Sequence, residues 1–164
     1  MVAWLGYQPP SGVGLDAARS EVAADGARAL LRFLAELPGE ATVTVIGHSY
    51  GSLVWAYAAP DLPPRVTDLV AIGSPGLDVS RATRLRTTAR IWAGRAADDW
   101  IRWVPSVRVF GVGHGADPVA PGFGALALNV SGAAGHDGYF QPSTRSLASL
   151  AAVASGSDRA RGAR

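Results

Sequence analysis

The chain has 164 residues, 48% of them hydrophobic, and 15 basic against 13 acidic side chains give a formal net charge of +2. That is enough chain to bury the core of one domain, and no long run of one sign marks a nucleic-acid or membrane-surface footprint. Lysine and cysteine are both missing from the sequence, which excludes a Walker-type phosphate loop, a Schiff base to pyridoxal phosphate, a thiol nucleophile, disulfides and thiolate zinc sites. No apolar run reaches the length of a membrane span, and Met1 to Tyr7 is too short, and too soon followed by Pro9 and Pro10, for a signal peptide. As written, the chain reads as soluble and cytoplasmic, with export left open for a chain that continues upstream.

In chain order, strand-like runs alternate with helical or irregular stretches, the pattern of a mostly parallel sheet covered by helices. Val2 to Tyr7 ("VAWLGY") is the first strand candidate, closed by "QPPSG". Leu15 to Leu37 has helical spacing, with Val22, Leu30, Phe33, Leu34 and Leu37 apolar and Arg28, Arg32 and Glu36 between them. Pro38 and Gly39 end it. Ala41 to Gly47 is a second strand, Ser52 to Ala59 a helix stopped by Pro60, Leu69 to Ile72 a third strand and Ala89 to Ala93 a fourth. Further strand-like runs start at Val107 ("VRVFGV") and Ala125 ("ALALNV"), and Leu147 to Ala154 reads as a closing helix. One domain over residues 1–154 and a disordered tail over 155–164 are expected.

The most informative stretch is "VTVIGHSYGSLVWAYAAP", residues 43 to 60, where a β-branched run ends in Gly-His-Ser-Tyr-Gly and resumes as a helical segment. A serine at such a strand-to-helix turn projects its hydroxyl over the carboxyl edge of the sheet, the ligand-binding edge of open α/β folds. The tight turn brings strand and helix together, so Gly47 and Gly51 are expected to relieve the crowding on either side. The amino end of the following helix favours an anion forming near Ser49.

A hydroxyl needs a histidine base and a carboxylate to orient it, here in the order serine, acid, histidine. His48, inside the turn, reads as a packing or hydrogen-bonding residue. His136, in "SGAAGHDGYF" beyond the last strand candidate, is favoured over His114, which follows the acid candidates too closely and reads as a turn residue. In "RIWAGRAADDWI" Asp99 is the first candidate acid and Asp98 the second; Asp117, after "VRVFGV", is a rival, and Asp78 a fourth. Any of them also fits a solvated turn or cap.

The pieces "VAWLGYQPP", "VIGHSYGSLV", "AIGSPGLDV", "HGADPVAPGFGA" and "GHDGYF" together resemble an uncharacterised bacterial family of the α/β-hydrolase superfamily, nearly to Ala154. The resemblance implies a doubly wound sheet and serine-dependent hydrolysis of an ester or amide, with no metal or organic cofactor. One departure stands out: such proteins typically begin earlier, with a strand and a Gly-containing loop that gives one oxyanion N–H donor, and nothing before Val2 takes that part. Tyr50 N–H supplies the other donor. Loss of one donor costs about 10²- to 10³-fold in rate, so a chain truncated at its amino end, or a reduced enzyme, is expected. Missing strands would also bare a sheet edge through which a homodimer can form.

The resulting expectation is an esterase- or lipase-like enzyme acting on a small-molecule ester through Ser49, His136 and Asp99. The alternative is a non-catalytic binding or assembly domain of the same fold, or an inactive fragment. Trp100, Trp103, Phe123, Tyr139 and Phe140 either line an acyl pocket or belong to the core. A Gly-x-Gly-x-x-Ala pattern in "FGVGHGA" is no dinucleotide loop, because Asp117, Pro118 and Pro121 follow at once. The three histidines are too dispersed for a metal motif.

Overall fold

The computed structural model of the chain describes residues 1–9, 20–104 and 114–157. The strand expected from Val107, the first residues of the helix expected from Leu15, and positions 158–164 of the expected tail lie outside the described residues.

Helix α1 (Ser20–Glu36) follows the predicted periodicity. Ala23, Ala27, Leu30 and Leu34 are its buried stripe, at steps of four, three and four, while Arg28, Arg32 and Glu36 are exposed. Beyond Leu37 the chain turns through Gly39 at φ +81°, a conformation that glycine enters without a side-chain clash. Arg65 closes this helix end: its guanidinium donates to Leu34 O, to Leu37 O at 3.2 Å and to Gly39 O at 2.8 Å. A cation on otherwise unpaired terminal carbonyls is favourable there.

Strand β1 (Val43–His48), helix α2 (Gly51–Ala58), strand β2 (Val66–Ile72), strand β3 (Arg90–Gly94), the two-residue strand β4 (Leu126–Ala127) and helix α3 (Arg145–Ala154) complete the regular structure. The four strands run parallel in the order β1-β2-β3-β4. In β2, Leu69 and Ala71 face one core cluster and Val70 and Ile72 the other, as alternate residues of a strand covered on both sides must. The first cluster is shared with α1 and α2, the second with Leu150 and Val153 of α3. Helices therefore cover both faces of the sheet.

Two expectations need correcting. Val2 to Tyr7 is not a strand. Trp4 and Tyr7, three residues apart, turn inward to Phe33 and Tyr50, with ring centroids 6.0 and 6.4 Å apart, whereas Val2 and Leu5 face outward. The inward spacing is three rather than two, and the segment packs against Phe33 of α1 and against Tyr50, just before α2, instead of pairing with an edge. The run from Ala125 forms only two ladder residues, because Leu126 and Ala127 are both exposed at the sheet edge and the chain leaves the ladder after Leu128 N donates to Ala93 O at 2.9 Å.

Register fixes where the chemistry sits. His48 is level with Ile72, and Ile72 with Gly94, so the residues that follow β1, β2 and β3 leave from one carboxyl edge. No described helix is long and apolar enough to cross a membrane.

Candidate active site

Ser49 occupies the bend between β1 and α2 at φ +52°, the left-handed region that a serine adopts only under constraint. Its N–H extends the ladder to Ile72 O at 2.9 Å. Its carbonyl is held by Ser52, through the backbone N–H at 3.0 Å and the hydroxyl at 2.7 Å. Both peptide groups of the serine are thereby fixed, and the side chain leaves from the sheet edge.

The two glycines of the turn differ. A Cβ at Gly47 would lie 2.6 Å from the Trp55 indole and 2.7 Å from Gly51 O, and Trp55 is itself immobilised by donating from Nε1 to Val70 O at 3.1 Å. A Cβ at Gly51 meets nothing within 4 Å. The crowding expected at the Gly51 side-chain position is absent there, at the first residue of α2. Tyr50 immediately precedes α2, in αR geometry at φ −57° and ψ −27°.

Of the acid candidates, the structure brings Asp99 to His136. Oδ1 of Asp99 lies 2.8 Å from Nδ1 of His136. The same oxygen accepts from Ile101 N–H at 2.9 Å, and Oδ2 accepts from the Tyr139 hydroxyl at 2.5 Å. The carboxylate is fully buried, with three donors around it, as a buried anion requires. A carboxylate only accepts, so Nδ1 of His136 carries the proton and Nε2 is the basic nitrogen. The other candidates are elsewhere. Asp98 is exposed. Asp117 pairs with Arg95 at 2.5 Å and caps Val119 N–H. Asp78, at φ +55°, accepts from the Tyr57 hydroxyl.

His114 lies apart from the pair, buried against the edge of Tyr50, with its carbonyl accepting from Asp78 N–H at 2.6 Å; burial lowers its pKa. His48 does touch the pair. Its Nε2 donates to His136 O at 2.7 Å, and the two rings are 4.7 Å apart. Burial is the main cause that lowers the His48 pKa, keeping the ring neutral.

Gly73 and Tyr139 were not assigned from the sequence. Gly73, directly after β2 at φ +55°, sits beneath the pair: a Cβ there would lie 3.0 Å from Asp99 Oδ2 and 3.2 Å from both His136 Cε1 and Tyr139 Cε2. The glycine-rich break "GSPG" after β2 was the available signal. The aromatic residues divide: Phe123 and Tyr139 are core, while Trp100, Trp103 and Phe140 are exposed. Trp100, 43% exposed, has its ring 4.7 Å from the imidazole of His136. Among the described residues no group of three or more His, Asp or Glu is placed to hold a metal ion.

A parallel sheet covered by helices on both faces, with a serine in a strand-to-helix bend at its carboxyl edge, defines an α/β fold of the hydrolase type. An alpha/beta hydrolase family matches residues 1–109, and the chain belongs to that family. Uncharacterised proteins of Mycobacterium tuberculosis H37Rv and Mycobacterium bovis are each 40% identical to it over 89 residues, covering 51% of this chain and 33% of theirs. A second uncharacterised protein of Mycobacterium tuberculosis H37Rv is 29% identical over 187 aligned positions, covering 95% of this chain and 28% of its own. The chain thus spans about a third of the length of these relatives. No solved structure matches it.

Proposed function

We propose that the chain carries the site of a serine hydrolase, esterase- or lipase-like, acting on a small-molecule ester. The observation that supports this most is the 2.8 Å bond between Asp99 and His136, located at the edge where Ser49 leaves β1. In this reading Ser49 Oγ attacks the ester carbonyl carbon and its proton passes to His136 Nε2. The Tyr50 backbone N–H donates to the oxyanion of the tetrahedral intermediate. His136 then gives the proton to the leaving alcohol oxygen, and the acyl-serine remains. Water attacks the acyl carbon with His136 again as base, releasing the acid and restoring Ser49. Asp99 holds the tautomer and stabilises the imidazolium. The exposed indole of Trp100 offers the ester an apolar surface beside the base. No metal or organic cofactor takes part in these steps.

Labelling with a fluorophosphonate, together with turnover of a p-nitrophenyl ester, tests the reading. The native chain is expected to label and turn over, and Ser49→Ala to do neither. Labelling that survives the substitution, or a folded chain that never labels, favours the alternative of a binding or assembly domain. We also propose that the outer edge of β1, which no described strand pairs, permits a homodimer; light scattering that finds only monomer at high concentration removes that proposal.

A further inference from the structure

Three residues beyond His136, Tyr139 is fully buried although its hydroxyl is a polar atom that must find partners. It finds two. The hydroxyl donates to Asp99 Oδ2 at 2.5 Å and accepts from Ala96 N–H at 3.0 Å. The residue is held from behind as well, since Ser146 at the start of α3 donates from Oγ to Tyr139 O at 2.8 Å and from N to Ser131 O at 3.2 Å. Its ring edge lies against Gly73, where an added Cβ would be 3.2 Å from Tyr139 Cε2.

We infer that Tyr139 is a positioning residue for the Asp99–His136 pair, its hydroxyl holding the second carboxylate oxygen so that the first faces His136 Nδ1. The inference rests on the proposed hydrolase site. A carboxylate held at one oxygen only can rotate about its χ2 torsion, which is broad for aspartate. Here Ile101 N–H and His136 claim Oδ1, and Tyr139 claims Oδ2. Removing the hydroxyl frees Oδ2, so the carboxylate can turn about χ2 and the bond between Oδ1 and His136 Nδ1 loosens. The ionisable groups around this pair are His48 from β1, whose ring is 4.7 Å from that of His136, Asp137 beside it in the chain, and Arg95 after β3, whose charge acts on Tyr139.

The test is Tyr139→Phe, which keeps the ring and removes the hydroxyl. Proton and nitrogen-15 NMR of the full chain reads the Nδ1–H of His136 and its hydrogen bond to Asp99 without needing turnover. The expected result is an upfield shift and faster solvent exchange of that proton, with kcat on a p-nitrophenyl ester reduced about 3- to 30-fold and KM unchanged. A purely structural tyrosine would lower the melting temperature, because Ala96 N–H loses its acceptor, and leave the His136 proton signal where it was; that result overturns the inference. Should the variant not fold, the native chain decides: a slowly exchanging hydroxyl proton of Tyr139 is expected, and its absence overturns the inference. Native protein that shows the NMR shift on mutation yet fails to label with fluorophosphonate would refute the hydrolase reading and leave the positioning role standing.

Discussion

The buried carboxylate of Asp99 accepts a 2.8 Å hydrogen bond from Nδ1 of His136, a residue 37 positions further along the chain. Asp99→Asn presents an amide in place of an acceptor-only group and favours the wrong imidazole tautomer. Its kcat on a p-nitrophenyl ester is expected to fall about 10³- to 10⁴-fold. Exposed Asp98 makes the natural control: Asp98→Asn is expected to stay within about 3-fold of native, since surface changes away from such features rarely matter. Equal losses in both variants would remove Asp99 from the site.

The two glycines flanking Ser49 are expected to respond in opposite ways. Gly47→Ala drives a methyl into the Trp55 indole and the Gly51 carbonyl, and overpacking of that kind costs about 1–3 kcal/mol. Gly51→Ala adds a methyl in open space at the start of α2, where the higher helix propensity of alanine contributes up to about 1 kcal/mol. Urea denaturation of the two variants checks both signs.

Strain at Ser49 gives a third expectation. At φ +52° any residue with a Cβ is disfavoured by about 1–2 kcal/mol, a cost that glycine escapes; the greater entropy glycine loses on folding offsets part of it. Ser49→Gly is therefore expected to unfold at a higher temperature than Ser49→Ala, with both equally inactive. Calorimetry that ranks alanine above glycine would show the bend is not held as described.

Burial lowers the pKa of His48 and of His114 below the ordinary 6.5. The unfolded chain then binds more protons than the folded one between those lowered values and 6.5, so their contribution to stability is complete above about pH 6.5 and lost as pH falls through the folded pKa values. His48→Gln keeps an N–H donor for His136 O without the titration. Its denaturation midpoint is expected to vary less between pH 7 and pH 5 than that of the native chain, and an identical pH dependence would contradict a neutral, buried His48.

Much of the fold was legible because it is written in short-range patterns. The buried stripe of α1, the β-branched runs of β1 and β2 and the abrupt Gly-His-Ser-Tyr-Gly turn each depend on residues within a few positions of one another. The amino-terminal segment departs from its local pattern for a related reason: "VAWLGY" has strand composition, but its two inward rings are three residues apart and settle against Phe33 and Tyr50, contacts that no local window contains.

Short-range patterns set the sheet class and the bend at Ser49, and they name one preferred histidine and four ranked aspartates as candidates. The tertiary structure is what brings Asp99 to that histidine, because Asp99 differs from Asp98 not in its local pattern but in facing His136 and Tyr139, which are 37 and 40 residues away. The same holds for Gly73 and Tyr139: strand register and the close packing of loops at one sheet edge decide which atoms meet, and those distances are set by the whole core rather than by any neighbour in the chain.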